Sequence, residues 1–572
     1  MKTARWMKTV GLCFAMSSLV FALGCGKTEK EKPAKNAGVA GKGKQLPKAA
    51  VTKQVVKPGT GTPAKAKAVH LAKSKPWHQG TVEAAMAQAK KDNKPIFLYW
   101  GAVWCPPCNM LKASVFSKPE FPKVMERFVS VYLDGDTERA QAWGEKLKAM
   151  GYPTMLFLDP AGNELLRLSA GLTWAEFVAR TDNVLARMKP LEDIVTLAKA
   201  GKAKKGDWQL LASLDAYGLK TRGKKPIQVI DTLHWLANAV PAKLVEERAA
   251  VTANMLTAVA TTKDKEVAAK IAGVRKDATR YLDAVFATVK TRKAAREMIL
   301  YAADDVVTFL YGAADAKTKK PAVANEQRAA LIKRWLEAAR ELRGHEDLPV
   351  VVRMDTLWPE VLLFRVTTPK GDVPAALRKR VVDTVTADVK KLTSPFLRKS
   401  GISDATQLLR RVGAFDEARK LLDEELKTTT TPWYYMSSYA SLEKNAGNHK
   451  AALAWAGKAR MAAKGGATKL QWIANDLSMT NATKALKSDD KNARMTKLVK
   501  GFYDLLLQLP DGFYGRNHRV AKKVARTIKG WKDGPAVKPL LSGFAARCKS
   551  VAKGHQPLCV KHFTQLLAPG KS

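Results

Sequence analysis

Hydrophobic positions change their spacing several times along the 572 residues, and each change marks a different kind of segment. Val10 to Leu23 is almost entirely apolar or small and follows a basic start with Lys2, Arg5 and Lys8. It is too short to cross a bilayer comfortably, because a helix rising about 1.5 Å per residue needs about 20 apolar residues. The three-part layout predicts a signal peptide over 1–24 that is read and removed. From Gly26 to Pro76 the chain is Lys, Ala, Pro, Gly, Thr and Val with hardly an aromatic residue, a composition that cannot assemble a core. It predicts a solvated tether over 25–76, and a coil of about 50 residues spans about 40 Å on average.

Between 77 and 190 the pattern alternates between helical and strand-like. A helix is expected over Thr81–Asp92, and Lys94-Pro95 then interrupts it ahead of the apolar, aromatic run Ile96–Trp100, which reads as a buried strand. A helix carrying Met110, Leu111, Val115 and Phe116 comes next, followed by a strand at Phe128–Asp134 and a helix at Glu138–Met150. Strands at Thr154–Asp159 and Glu164–Leu168 flank the turn Pro160–Asn163, and a helix over Trp174–Met188 closes the unit. Beyond Pro190 nearly everything reads as helix, as at Pro226–Ala239, Asp264–Lys290, Gln327–Leu342 and Pro374–Leu392. The stretch 191–400 shows no clean period. Within 401–572, Gly413-Ala414-Phe415-Asp416-Glu417-Ala418 and Gly447-Asn448-His449-Lys450-Ala451-Ala452 recur at a spacing of 34, as do Leu408/Leu442 and Leu421/Trp455. That is tetratricopeptide spacing, with glycine in the turn and alanine where two helices cross closely, and a tetratricopeptide-like surface is a place for a protein partner.

Charge adds one constraint. Lys and Arg number 98 against 52 Asp and Glu, a formal net charge of +46. Nucleic-acid binding is disfavoured, because no zinc-finger, RNA-binding aromatic or basic-zipper pattern accompanies the lysines, which are spread throughout. Anionic lipid headgroups or other envelope polyanions fit better, and solubility alone is the simplest account.

The six cysteines divide readily. Cys13 lies in the signal peptide. Leu23-Gly24-Cys25 resembles the bacterial lipobox, which implies a lipid on Cys25 and a membrane anchor, although Ala22 stands where that motif prefers Leu. Gly26 after the cysteine points to the outer rather than the inner membrane, with the protein facing the periplasm. Two close pairs remain, Cys105/Cys108 and Cys548/Cys559, and an even remainder suits an oxidising compartment.

Trp104-Cys105-Pro106-Pro107-Cys108 lies between a strand and a helix. A thiol at a helix start is favoured as thiolate by unpaired backbone N–H groups and the positive end of the helix dipole, so Cys105 is expected to be exposed and to attack. Cys108, one turn further in, would resolve the mixed disulfide. Prolines are tolerated in that first turn. The same spacing makes half a zinc site, but no second such pair completes one, and no metal or cofactor is expected. Cys548 and Cys559 flank a turn with Gly554 and Pro557, where a structural bridge, two free thiols or a second redox pair all fit.

Lys94-Pro95, the strand 96–100, the cysteine motif and Gly151-Tyr152-Pro153-Thr154 resemble the thioredoxin superfamily in order and spacing. They are most similar to its envelope branch, which includes the C-terminal domain of transmembrane thiol-disulfide interchange proteins. The resemblance covers about a fifth of the chain. It implies an α/β thioredoxin fold over 77–190, followed by a large all-α region. It also implies that Pro153 is a cis-proline opposite the cysteines, that Tyr152 offers backbone to an extended substrate, and that Trp104 is a platform beside them. One departure stands out: thioredoxin has a buried aspartate six residues before the first cysteine, and here that position is Tyr99. Glu83 or Glu126 are the candidates to replace it as proton acceptor. The expected function is an envelope thiol-disulfide oxidoreductase acting on protein thiols or disulfides, with the helical region docking a client or redox partner. A non-catalytic adaptor lipoprotein is the alternative.

Overall fold

The computed structural model describes residues 75–168, 171–262, 267–314, 325–531 and 533–568. The signal peptide, Cys25 and all but the last two residues of the tether lie outside the described residues.

The first unit is a four-stranded mixed sheet wrapped by helices. Its strands are β1 (Ile96–Gly101), β2 (Val129–Asp134), β3 (Thr154–Leu158) and β4 (Glu164–Leu168), in the order β2-β1-β3-β4. β1 pairs parallel with β2 and antiparallel with β3, and β3 pairs antiparallel with β4. The two central strands read IFLYWG and TMLFL and are buried at every position, as continuous apolar runs must be when both faces are covered. The surrounding helices are α1 (Val82–Asp92), α2 (Pro106–Leu111), α3 (Phe121–Met125), α4 (Glu138–Lys146) and α5 (Trp174–Arg187). Thr81 caps α1, and Thr173 with Glu176 forms a capping box on α5, which buries Phe177, Thr181 and Val184. α3 was not foreseen, because its five residues contain Pro122 and carry no helical period.

Everything from Leu191 to Leu567 that is described is helix and turn. The helix expected over Asp264–Lys290 is corrected: the chain forms separate helices at Ala268–Lys276 and Ala278–Phe286, and a third begins at Val289. The first break falls at Asp277, and Thr288, with extended backbone and a side chain capping Thr291, makes the second. In the 34-residue pair, Gly413 and Gly447 each take positive φ in the turn between helices, a conformation that disfavours any side chain. Apolar side chains pack without interruption from the sheet into the helices, so the two regions share a core. A second apolar cluster gathers residues between Leu470 and Leu566, where Cys548 and Cys559 are bridged with Cα atoms 5.7 Å apart. Among the described residues no helix is long and apolar enough to cross a membrane.

Candidate redox site

The cysteine motif leaves the end of β1 and turns into α2. Cys105 is the N-cap, with extended backbone; Pro106 and Pro107 open the helix, where the missing N–H groups cost nothing. The Cys108 backbone N–H points to Cys105 Sγ at 3.4 Å, and the two Sγ atoms lie 2.7 Å apart, in thiol contact. Asn109 braces the loop by donating from Nδ2 to the carbonyls of Val103 and Cys105, at 3.1 and 2.9 Å.

The Tyr152–Pro153 peptide is cis. The Tyr152 ring packs against Trp100 and Trp104, with centroids 4.5 and 5.9 Å away, and its hydroxyl donates to the Gly135 carbonyl at 2.7 Å. Gly135 is required there, since a Cβ would fall 2.1 Å from that ring. Trp104 donates from its indole to Asp136 at 2.6 Å.

The expectation of an exposed Cys105 is corrected. Cys105 is 4% exposed and Cys108 0%, and side chains from the helical region gather on the neighbouring Trp104. Tyr434, from the Pro432–Asn445 helix, stacks on Trp104 with centroids 5.8 Å apart, and Trp472, from Gly466–Ala482, packs against it at 6.1 Å. The Arg516 guanidinium, at the start of Gly515–Lys529, lies 5.7 Å from the Trp104 ring and 4.9 Å from that of Tyr152. Thr468 donates to the other oxygen of Asp136 at 2.6 Å. Gly465, with positive φ, comes so close to Asp136 that a Cβ would meet its backbone at 3.0 Å. On the far side, Met110 of α2 is buried against Val351 and Leu392. None of these partners was foreseen, as they arrive from more than 200 residues away.

This enclosure governs the electrostatics. Burial, then the hydrogen bond with Cys108, pushes the Cys105 thiol up from its ordinary range, outweighing the helix start. Tyr99, where thioredoxin has aspartate, is fully buried; its hydroxyl leans toward Cys108 without a hydrogen bond of good geometry, and burial keeps it protonated. Glu83 and Glu126 are both exposed on the surface, so neither is the buried acceptor. The group that does sit close is Lys112, one helical turn past Cys108, whose charge favours ionisation of both sulfurs. Its spacing from Cys108 was the available signal. Among the described residues, no three His, Cys, Asp or Glu side chains are grouped to hold a metal.

Comparison with known proteins places this geometry. Residues 76–160 match the family model described as thioredoxin-like. This segment is a thioredoxin-like domain. The chain is similar to the thiol:disulfide interchange protein DsbD of Cronobacter sakazakii, with 32% identity over 107 residues, which cover 18% of each chain. It is likewise similar to the DsbD of Yersinia enterocolitica, with 34% identity over 86 residues, 15% of this chain and 14% of the relative. The matched part therefore spans less than a fifth of those relatives' length, and the thioredoxin-like domain of this chain is followed by a large helical region.

Proposed function

We propose that the protein is a thiol-disulfide oxidoreductase working through Cys105 and Cys108. The supporting observation is the pair itself: two sulfurs 2.7 Å apart at the first turn of a helix, in the same domain as a cis-proline. Cys105 attacks, forming a mixed disulfide, and Cys108 displaces the client by closing the Cys105–Cys108 bond. In the reducing direction the pair, as one thiol and one thiolate, gives two electrons and its one proton to a client disulfide, which leaves with one thiol and one thiolate; the oxidising direction is the reverse. The potential relative to the compartment sets which one runs. Trp104, Tyr152 and Pro153 form the platform for an extended client segment.

In this reading the protein is exported to the bacterial envelope and faces the periplasm, anchored by lipid at Cys25 to the outer membrane. The helical region, tetratricopeptide-like over 401–572, selects the client or redox partner, which must displace Tyr434, Trp472 and Arg516 to reach the sulfurs. The burial of Cys105 also favours a second reading, an adaptor that binds a protein on its helices and leaves the thiols idle. A Cys108→Ser variant separates the two. Exchange predicts client proteins trapped on Cys105 and released by reductant, whereas the adaptor predicts no trapped species.

A further inference from the structure

One buried amine beside the sulfurs has no carboxylate within ion-pair reach among the described residues. Lys112 stands where α2 gives way to a π turn over Lys112–Phe116, a local widening frequent at functional sites. It is 4% exposed, and among the described residues its ammonium makes no ion pair or hydrogen bond. The rings of Tyr132 on β2 and Phe396 on the Pro395–Arg411 helix lie 5.9 Å from Nζ. An ammonium taken out of water into such a setting is costly unless a negative charge meets it.

Among the groups facing it, the two sulfurs are the leading source for that charge. Tyr132, and Tyr99 which faces the same sulfurs, are held protonated by burial. Asp134 on β2 is beyond ion-pair reach, its carboxyl pushed up by burial and accepting the Asp136 N–H at 3.2 Å. Lys399 on the Pro395–Arg411 helix has the same sign and donates to Thr430. Burial lowers Lys112 itself, while Cys108, then Cys105 and then Asp134 act to keep it charged.

We propose that Lys112 is a positioning residue of the redox site, a buried ammonium whose counter-ion is the single thiolate that Cys105 and Cys108 form between them. The inference rests on the exchange reading above. One thiol and one thiolate face the ammonium in the reduced pair. When the pair reduces a client disulfide, the client's S–S bond breaks, the Cys105–Cys108 bond forms, and the client leaves with one thiol and one thiolate. The pair has then lost two electrons and its charge, so Lys112 loses its partner only in the oxidised form. Lys112 thus favours the reduced state and lowers the pH at which the pair first ionises.

The test is ultraviolet titration of thiolate in the full chain, which reads ionisation whether or not the sulfurs are accessible, with free-thiol content measured across a glutathione series. Lys112→Met and Lys112→Gln are expected to raise the ionisation midpoint by about one pH unit or more, as loss of a close opposite charge does. Both should move the equilibrium about tenfold toward the disulfide, and Lys112→Arg should stay near the parent. Two neutral variants of different polarity guard against a folding defect in one. If both titrate with the parent's midpoint, the proposal is overturned. A parent that never exchanges with glutathione overturns the exchange reading instead, and the titration still tests Lys112.

Discussion

Glu176 ties the sheet unit to the helices. Its carboxylate accepts from the Thr173 N–H at 2.8 Å, and Arg296, 120 residues away, reaches it from both terminal nitrogens at 2.8 Å. Burial alone would raise this carboxyl, but the Arg296 charge and the hydrogen bonds overcome it and hold the group at about 2. A carboxyl depressed in the fold adds stability above its unfolded value near 4.3, and that contribution is lost as pH falls toward 2. Urea unfolding at stepped pH is expected to show parent stability dropping over that window, with Glu176→Gln showing a shallower drop. Parallel curves would contradict the assignment. Cys105 and Cys108 could be singled out because a disulfide exchanger needs two thiols at short spacing, whereas Tyr152 and Pro153 were singled out only through the family resemblance. Lys112 could have been flagged by its place four residues after Cys108, but its lack of a carboxylate depends on what folds over it.

At the scale of elements, the strands were readable because buried central strands leave unbroken apolar runs, as at 96–101 and 154–158. The 264–290 stretch was misread because it is rich in helix formers, and its first break, at Asp277, carries no proline or glycine. Packing sets that break: Tyr281, Leu282, Val285 and Phe286 turn together into the core. The bridge between Cys548 and Cys559 joins a short 3-10 turn to the last helix, Gln556–Leu567. For a loop of this size its removal, by Cys548→Ser with Cys559→Ser, is expected to cost about 2 to 3 kcal/mol. A lowered melting temperature under oxidising conditions checks this, and an unchanged one would contradict it. The same cluster holds His562, hydrogen-bonded to the Tyr503 hydroxyl at 3.0 Å, and His518; burial pushes both down to about 4. The unfolded chain takes up these protons first, near 6.5, so the stability they add is lost as pH falls from there toward 4. Calorimetry at stepped pH should show that loss reduced in His562→Gln.

For the whole molecule, the decisive arrangement is helices lying across the redox face of the sheet unit. No local spacing announces it, since Trp104 and Asp136 meet Tyr434, Thr468, Trp472 and Arg516 only through the path of the entire chain. If these contacts close the site, loosening them should open it. Arg516→Ala and Tyr434→Ala are each expected to speed alkylation of Cys105 by about tenfold, since losing about 1.4 kcal/mol of closing free energy multiplies the open population by that factor. Unchanged rates would show that the sulfurs are screened by the sheet unit alone. The account's central claim is that Cys105 and Cys108 exchange electrons as a pair. The most direct test equilibrates the full chain across a glutathione series and follows the mass of the peptide carrying both cysteines, after alkylation in denaturant. The account predicts one two-electron transition in that peptide, while Cys548–Cys559 stays bridged; two free thiols at every ratio would contradict it.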